Sequence, residues 1–295
     1  MAKRVLLIVN PKSGDGIAVR WVADMVSMLS KKYDFVTVYF SKKQGDILNI
    51  ASEYSGEYEA MVVVGGDGSL NEAIGGILLS GTDIDLGYVP TGTVNDFATS
   101  HGIPKNIKMA LEKIAGGEPK KCDVGSLNGR FFSYVAAFGA FTDVAYLTSQ
   151  KSKETFGKIA YVAEAATRIL KLKPIKMTYE LDGERVSGEY IYGMASNSKT
   201  IGGIVFYGSE GEEFLRDGEL EITLVKYPFS SSELSSSLVG LINPSANTKQ
   251  VVKFRTSSIK FEFEEETPFT VDGEFGGSFS SVDIKNIEGA LSLIE

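Results

Sequence analysis

The sequence predicts an α/β plus all-β protein, in which a three-layer α/β domain precedes a C-terminal β-sandwich. Three observations lead to this prediction. The chain has 295 residues, which is long enough for two domains. Its first part alternates short apolar runs with stretches of helical spacing, as in a parallel sheet covered by helices on both faces. After about Gly125 the apolar runs are separated by glycine- and serine-rich turns, which is typical of antiparallel strands.

The α/β domain is predicted from four apolar runs and the helical patterns between them. The runs are rich in β-branched and aromatic residues, and apolar residues recur at helical spacing in the stretches between them. The predicted strands are 5–9, 35–40, 60–64 and 85–89, and the predicted helices are 17–30, 47–54 and about 70–79. We expect residues 1–125 to form this domain and residues 283–295 to complete it.

The second domain, residues 126–282, is predicted from six strand-like runs. An Asp-Gly pair at 182–183 separates the first two runs and is a strong hairpin signal. One helical stretch interrupts the series, from Thr155 to about Leu172. The strand-like runs are 177–181, 185–192, 220–225, 250–254, 259–263 and 269–271.

Composition excludes several kinds of site. The net charge of −8 makes the whole chain a poor electrostatic match for nucleic acid, so we expect no nucleic-acid partner. The single cysteine, Cys122, cannot form an intrachain disulfide, and the single histidine, His101, excludes sites that need two histidine ligands. No run approaches the roughly 18 apolar residues of a membrane span, and we expect a cytoplasmic protein. The available chemistry rests on carboxylates, hydroxyls, amides and glycine turns.

The turn Gly65-Gly66-Asp67-Gly68 is the most informative local feature. It follows a fully apolar strand, and a helix is expected to begin near Ser69. Glycine permits positive φ and a close approach of the backbone to a ligand, and the N–H groups of such a turn can bind a phosphate. An acid among phosphates is well placed to face Mg2+, directly or through water. The alternative is a plain strand–helix turn with Ser69 as the N-cap.

Two further loops are expected at the same edge of the sheet. Residues 10–14 follow the first strand, and residues 90–96 follow the fourth. Both supply hydroxyls, amides and a glycine turn beyond the carboxyl end of a strand, which is where ligands bind to open α/β sheets. Neither loop is a Walker A motif, because the chain contains no Gly-Lys-Ser or Gly-Lys-Thr.

Four motifs follow one another along the chain: NPKSG at 10–14, GGDGSLNE at 65–72, PTGTVNDFA at 90–98 and VDGEF at 271–275. In this order they resemble the diacylglycerol kinase catalytic family, in its bacterial soluble lipid kinase branch. GGDG is shared with NAD kinases and phosphofructokinases, whereas the first and third motifs separate this family from them. The resemblance covers nearly the whole chain and implies a nucleotide domain of the NAD kinase/diacylglycerol kinase type. It also implies transfer of the γ-phosphoryl group of ATP to a lipid hydroxyl, with diacylglycerol to phosphatidate as the leading case.

By this resemblance the three loops bind the nucleotide. Ser41 and Ser69 stand where the family usually carries threonine, and either hydroxyl can donate to a phosphate. The resemblance also implies that Asp96 and Asp123 join Asp67 in an acidic, water-linked network around Mg2+, although Asp96 is equally a candidate helix N-cap. The implied nucleotide contacts are Asn10, Pro11, Lys12, Ser13, Gly14, Ser41, Gly66, Asp67, Gly68, Ser69, Leu70, Asn71, Glu72 and Thr93.

The tripeptide Asp-Gly-Glu occurs at 182–184, 217–219 and 272–274, so alone it indicates little more than a turn. The resemblance implies that the second copy holds a structural Mg2+. The implied ligands are the Asp217 carboxylate and the main-chain carbonyls of Phe214 and Glu219. A bare turn is the alternative there.

The resemblance implies that the third copy is catalytic. Asp272 and Glu274 lie two residues apart, so in extended chain both side chains are expected to project into a cleft. One of them would accept the proton of the lipid hydroxyl. Which of the two is the base stays open, and a bare hairpin is the alternative.

The remaining expectations concern partners. Residues 151–176 carry seven positive and two negative charges, which predicts either docking on anionic lipid or a solvated helix face. The predicted cofactor is Mg2+, and the predicted partners are ATP, a lipid and, through the basic segment, a membrane surface. A soluble-substrate kinase of the NAD kinase type and a non-catalytic lipid-binding protein are the competing functions. The sequence leaves the lipid and the oligomeric state open, a homodimer being one alternative.

Overall fold

A computed structural model describes residues 2–140, 173–181, 183–201, 204–205, 212–242 and 248–295. It confirms the predicted fold class, an N-terminal α/β domain followed by an all-β region. The helix predicted from Thr155 to about Leu172, and with it most of the basic segment 151–176, lies outside the described residues. In the part of the chain that is described, no helix is long and apolar enough to cross a membrane.

The α/β domain is built on four parallel strands in the order β4-β3-β1-β2. The central strand β3 has all six residues buried, as expected for a strand covered on both faces. The strands are β1 Arg4–Val9, β2 Phe35–Phe40, β3 Ala60–Gly65 and β4 Asp85–Pro90. The helices are α1 Ile17–Arg20, α2 Val22–Leu29, α3 Asp46–Tyr54, α4 Asp67–Ser80, α5 Asp96–Ser100 and α6 Ile107–Gly116.

The helix that follows the glycine turn, α4, is held close to its neighbour α3. Ala73, Ile74 and Ile77 of α4 are buried in the core under the sheet. A Cβ atom on Gly76 would stand 2.4 Å from the carbonyl oxygen of Leu48, so only glycine allows this approach of the two helices. The predicted helix 17–30 is divided at Trp21, whose N–H donates to Ala18 in a tighter turn.

The all-β region contains eleven of the described strands and one described α-helix. Leu181 pairs with Glu184, which confirms the hairpin predicted from the Asp-Gly pair at 182–183. The strands are β5 Pro119–Leu127, β6 Arg130–Phe132, β7 Val135–Gly139, β8 Ile175–Leu181, β9 Glu184–Ser196, β10 Thr200–Ile201, β11 Ile204–Val205, β12 Leu220–Lys226, β13 Val251–Thr256, β14 Ser258–Val271 and β15 Glu274–Ile294, and the helix is α7 Ser231–Ile242.

Four strands of this region close a circuit of pairings. The long strands β9 and β14 each pair with β8 near one end and with β7 near the other. An aromatic cluster packs between them: the ring of Phe138 lies 5.2 Å from those of Phe263 and Phe269 and 5.9 Å from that of Phe261. The predicted sandwich is therefore continuous at both ends of these strands, because β7 and β8 each pair with both β9 and β14.

The last strand, β15, connects the two halves of the molecule. It pairs antiparallel with β14 and β5, and Ser292 and Leu293 then pair in parallel with β4. The main sheet of the described residues therefore runs through thirteen strands from one half to the other. The domain limits of 1–125 and 126–282 stay a prediction.

Candidate active site

Three loops meet at the carboxyl ends of the parallel strands. The Thr91 N–H donates to the Gly65 carbonyl (2.8 Å), and the Asn10 N–H donates to the Val64 carbonyl (2.9 Å). The Thr91 hydroxyl donates to the Ser13 hydroxyl at 2.8 Å. The structure therefore brings together the loops after β1, β3 and β4, as expected for a ligand site of an open α/β sheet.

Glycine is required in these loops because their backbones touch. A Cβ on Gly92 would lie 2.7 Å from the Cα of Gly66, and a Cβ on Gly65 would lie 2.4 Å from the Cβ of Ser69. Positive φ is not the reason: Gly66 has φ −88°, and neither Gly65 nor Gly68 is among the glycines with positive φ. Of the two properties that glycine offers, close approach is therefore the one that this turn uses.

Helix α4 begins at Asp67 with Gly66 as its N-cap, two residues earlier than expected. The alternative that Ser69 caps this helix is therefore wrong. Ser69 is buried, and its hydroxyl accepts a 2.9 Å hydrogen bond from the Asn10 side-chain amide. This bond ties the first loop to the first turn of α4.

Asp67 presents an unsatisfied oxygen to the site. Its Oδ1 is buried and has no hydrogen-bond partner among the described residues. Burial, followed by the charge of Asp96, raises the pKa of Asp67 to about 6; the charge of Asp272 acts in the same direction, and the N–H groups of Phe97 and Asp96 oppose it. A buried carboxylate oxygen without a donor is an unfavourable arrangement that a cation would relieve.

The loop after β4 places Asp96 beside Asp67. Asn95 adopts φ 55°, accepts a hydrogen bond from Gly92 N–H (3.0 Å) and donates one to the Gly92 carbonyl (2.8 Å). Asn95, not Asp96, is the residue before the helix, so the alternative that Asp96 is the N-cap of α5 is wrong. Asp96 is 2% exposed, whereas Thr93 lies at the exposed tip of the loop.

The other residues assigned to the nucleotide have mixed surroundings. Lys12 and Gly14 are exposed and Pro11 is half-buried, whereas the side chain of Leu70 is 0% exposed in the core, so only its backbone can reach a ligand. Ser41 directly follows β2, and its N–H donates to the Val9 carbonyl.

Glu72 has a clear structural task. Its two carboxylate oxygens accept the N–H groups of Gly45 (2.8 Å) and Ile47 (3.2 Å) at the start of α3. Both oxygens are thereby engaged in holding the loop after β2. A direct nucleotide contact from Glu72 stays a prediction.

Asp272 lies at the tip of the β14–β15 hairpin. Val271 pairs with Glu274, and Asp272 and Gly273 have φ 49° and 81°, the signs that a two-residue type I′ turn requires. The hairpin alternative is therefore correct as a description of the turn. Because Asp272 is a turn residue, strand alternation does not align its side chain with that of Glu274, so the extended-chain argument for both side chains entering one cleft does not apply.

The Asp272 carboxylate points inward and accepts five hydrogen bonds. Oδ2 accepts from the N–H (2.6 Å) and hydroxyl (2.8 Å) of Ser133 and from the side-chain amide of Asn71. Oδ1 accepts from the N–H groups of Tyr134 and Val135, both at 3.0 Å. Burial raises the pKa of Asp272, and the N–H groups of its neighbours act against this by stabilising the anion. These hydrogen bonds hold the β14–β15 hairpin against the start of β7 and against α4.

Glu274 has the opposite surroundings. Its side chain is exposed, and its Oε2 accepts a 3.3 Å hydrogen bond from the side-chain amide of Gln44. Its Oε1 lies 3.5 Å from the position that a Cβ on Gly68 would occupy. A largely free carboxylate is therefore placed against the first turn of α4, next to Asp67.

Asp123 is engaged in another set of contacts. It is 1% exposed and accepts hydrogen bonds from the N–H of Gly218 (2.7 Å), the side chain of Asn286 (2.8 Å) and the N–H of Gly289 (2.8 Å). These bonds join β5 to the turn at 217–219 and to the bulge of β15. They do not bring Asp123 to Asp67, and its place in a Mg2+ network stays a prediction.

The acidic turn at Asp217 is already paired with the positive charge of an arginine side chain. Arg255 forms an ion pair with Asp217, and its Nε lies 3.5 Å from Glu219 and 3.4 Å from Glu221. Phe214, the third implied ligand, lies in a short 3₁₀ helix just before the turn. Among the described residues no group of three or more Asp, Glu, His or Cys side chains could hold a metal ion. The structural Mg2+ stays a prediction.

Sequence reasoning missed Gln44, Ser133 and Tyr134. The sequence carries no local signal for them, because they enter the site only when the hairpin docks on β7 and α4. The separation between Ser133 and Asp272 is 139 residues. Asn71 was assigned to the nucleotide, but its amide contacts Asp272 and the Phe131 carbonyl.

Known proteins resemble this chain over most of its length. Residues 4–127 match the family model of the diacylglycerol kinase catalytic domain. A diacylglycerol kinase of Staphylococcus carnosus (strain TM300) is 30% identical over 280 residues, covering 94% of this chain and 90% of that protein. A diacylglycerol kinase of Bacillus subtilis (strain 168) is 26% identical, with 93% and 91% covered.

The fold is also that of a solved structure. A crystal structure from Bacillus anthracis str. Sterne, provisionally named a diacylglycerol kinase, has a TM-score of 0.81 at 27% identity. The match covers 99% of this chain and 95% of that chain. Since sequence and fold agree over nearly its whole length, the chain belongs to the diacylglycerol kinase family, whose members are lipid kinases.

Proposed function

We propose that this protein transfers the γ-phosphoryl group of ATP to the hydroxyl of a lipid, and that the reaction converts diacylglycerol to phosphatidate. The relatives from S. carnosus and B. subtilis, which match more than nine-tenths of this chain, are named diacylglycerol kinases. The contact of Glu274 with the first turn of α4 supports the proposal, because it puts a proton acceptor beside the phosphate-binding turn.

The unpartnered Oδ1 of Asp67 is the observation that carries the proposal. It lies at the positive end of α4, in a turn whose glycines let the loop that follows β4 pack closely against it. Asp67 and Asp96 offer the hard oxygen ligands that Mg2+ prefers, and the loops at 10–14 and 92–93 offer N–H groups and hydroxyls for phosphates. When bound with ATP, Mg2+ neutralises charge on the phosphoryl group being transferred.

We assign the general base to Glu274 and a positioning role to Asp272. A carboxylate has about four lone-pair positions, and the five donors around Asp272 occupy them. Among the residues that the structure describes, Glu274 receives a single hydrogen bond, from Gln44, and its side chain is exposed, so that an acceptor lipid can reach it. Asp272 instead fixes the turn that presents Glu274.

The reaction that follows is a direct displacement. The lipid hydroxyl oxygen bonds to the γ-phosphorus while the bond from that phosphorus to the bridging oxygen breaks. ADP leaves with the electron pair, and the hydroxyl proton passes to Glu274. Positioning and charge neutralisation supply most of the catalysis, since a phosphoryl transfer needs little covalent help from the protein.

The test is a labelled-ATP assay against diacylglycerol in mixed micelles, monoacyl and sphingoid lipids, phosphatidylglycerol and NAD. We expect label in diacylglycerol and a loss of about 10²–10⁴-fold in kcat for Glu274→Gln. Label in NAD without lipid would favour a soluble-substrate kinase. No lipid-dependent label from the wild-type protein would favour a non-catalytic lipid-binding protein.

Asp272→Asn is the matched variant for the assignment of the base. The asparagine side chain replaces one acceptor oxygen by an NH2 group, which faces N–H donors and leaves them without an acceptor. We therefore expect the free energy of unfolding, measured in urea, to fall by about 2–4 kcal/mol. Glu274→Gln should unfold like the wild type, because its side chain is exposed. An inactive Asp272→Asn of wild-type stability together with an active Glu274→Gln would reverse the two assignments.

Three finer proposals accompany this function. The first is a second, structural Mg2+ at Asp217 with the carbonyls of Phe214 and Glu219, which requires Arg255 to move aside. The second is action in the cytoplasm with transient membrane contact through residues 151–176. The third is a homodimer, to be checked by light scattering.

A further inference from the structure

Tyr134 is fixed at the centre of the candidate site by its backbone. Its N–H donates to Asp272 Oδ1 (3.0 Å), and its carbonyl accepts from the Asn197 N–H (3.0 Å). The residue is 8% exposed and belongs to a buried apolar cluster that includes Val135 and Ile191. The ring therefore has little freedom to turn.

The phenol reaches the turn of the catalytic hairpin. A Cβ on Gly273 would lie 3.6 Å from the Tyr134 hydroxyl oxygen, so the hydroxyl stands beside the residue that precedes Glu274. Glu274 in turn lies against Gly68 of α4. The hydroxyl is thus placed close to where the donor and acceptor sides of the reaction meet.

Several acidic groups are close enough to this hydroxyl to act on it electrostatically. Asp272, Asp67 and Asp96 all act on it electrostatically, as does the phenol of Tyr88. Burial above all, and then the charge of Asp272, raises the pKa of Tyr134 well beyond its usual range. The phenol accordingly stays protonated and can act as a hydrogen-bond donor but not as a base.

We propose that the Tyr134 hydroxyl is a catalytic hydrogen-bond donor to the transferred phosphoryl group, an assignment that rests on the proposed kinase function. The oxygens of that group are repelled by the carboxylates around them. A neutral donor can approach both the carboxylates and the phosphoryl oxygens, so it lowers this repulsion. Tyr134 donates a hydrogen bond and transfers no proton; the proton of the lipid hydroxyl goes to Glu274, and ADP is the leaving group.

This role predicts a specific kinetic signature. Negative charge on the phosphoryl oxygens is redistributed in the transition state, so a donor aimed there acts mainly on kcat. A residue that only packs the site would change stability or the KM of a substrate instead. Because the phenol does not titrate near neutral pH, its removal should leave the shape of the pH profile of kcat unchanged.

The test is Tyr134→Phe, which removes one oxygen and keeps the ring. We expect kcat to fall by about 10- to 100-fold, the usual effect of losing one donor to a charged group. The KM values for ATP and for lipid should stay within about 2-fold of the wild-type values, because the donor acts on the transition state and not on substrate binding. Tyr33→Phe is the control, because Tyr33 is also a buried tyrosine but lies before β2, at the opposite edge of the sheet.

The outcomes separate the two proposals. An active wild type with unchanged kcat in Tyr134→Phe would overturn the Tyr134 assignment and leave the kinase proposal standing. A loss confined to the KM of either substrate would also overturn it. Absence of lipid-dependent turnover in the wild type would reject both. If Tyr134→Phe unfolds early, kcat measured well below its unfolding temperature, with ATP binding by calorimetry as a check on the site, still decides between these results.

Discussion

At the scale of single residues, the carboxylates of the site differ in how well the protein solvates them. The Asp272 carboxylate accepts five hydrogen bonds, and the Asp123 carboxylate accepts three, two of them from backbone N–H groups. Asp67 keeps one buried oxygen with no partner among the residues described. The hydrogen bonds of the first two carboxylates hold separate segments of the chain together, whereas Asp67 has an oxygen available for a ligand.

Asp67→Asn should make the metal-free protein more stable at pH 7. The pKa of Asp67 rises from 3.8 to about 6 on folding, so the folded state binds its proton more tightly than the unfolded state does. Ionisation of Asp67 above about pH 6 therefore lowers stability, and this penalty fades as the pH falls from 6 towards 4. Asparagine removes the charge and the penalty together.

Thermal unfolding in EDTA tests this. The melting temperature of Asp67→Asn should exceed that of the wild type at pH 7, and the difference should narrow by pH 5. The same variant should bind Mg2+ and ATP less well, which is the usual opposition between stability and function. A melting temperature below that of the wild type at pH 7 would show that the protein already satisfies this carboxylate.

At the scale of elements, the site depends on how closely three loops and one helix approach. Gly66 and Gly92 face each other with no room for a side chain between them. Asn95 folds its loop over this contact through two hydrogen bonds to Gly92. The spacing of the loops after β3 and β4 is therefore set by the absence of two Cβ atoms.

Gly92→Ala should weaken ATP binding and destabilise the fold by about 1–3 kcal/mol, the usual effect of overpacking. Its Cβ would meet the Gly66 backbone at 2.7 Å and the Asn95 side chain at 2.8 Å. Calorimetric titration with ATP and urea unfolding measure the two effects. Gly116→Ala is the matched control, because a Cβ there meets nothing within 4 Å. Equal ATP affinity in the two variants would contradict the spacing argument.

The same elements show what the sequence could predict. Strands β1, β3 and β4 are continuous apolar runs, and the turn residues after them are glycine, asparagine and threonine, so both strands and loops were predictable. The first half of β15 was missed, because its sequence, EFGGSFSSV, contains no apolar run. It is a strand because β14 pairs with it along most of its length.

For the carboxylates Asp272 and Glu274, too, the sequence predicts one part of the arrangement and misses another. The sequence predicted that Asp272 and Glu274 belong together, but not that one is buried and the other exposed. That difference arises from Ser133, Tyr134 and Val135, which donate to Asp272 from a distant part of the chain. Long-range contacts of this kind have no periodicity for a sequence pattern to detect.

At the scale of the whole molecule, β15 joins the two halves and ends in a buried ionic cluster. Glu295 follows β15, and its side chain is 3% exposed. Its carboxylate pairs with Arg216, lies 3.1 Å from His101 Nδ1 and lies 3.8 Å from Lys120. His101 directly follows α5, the helix that begins with Asp96, and Arg216 directly precedes Asp217. One carboxylate thus links the two regions for which metal ions are proposed.

Glu295→Ala should lower the free energy of unfolding by about 2–4 kcal/mol, because it leaves the buried His101 and the partly buried Arg216 without their shared anion. The loss should appear in unfolding followed both by Trp21 fluorescence, which reports on the α/β half, and by circular dichroism, which also reports on the all-β half.

Glu112→Ala is the control: Glu112 pairs with Lys108 on an exposed face of α6, where such a pair contributes about 0.3–0.5 kcal/mol. We expect the two probes to shift together in Glu295→Ala, since β15 runs through both halves. Separate transitions, with the Trp21 signal unchanged, would show that the halves unfold independently and that Glu295 does not couple them.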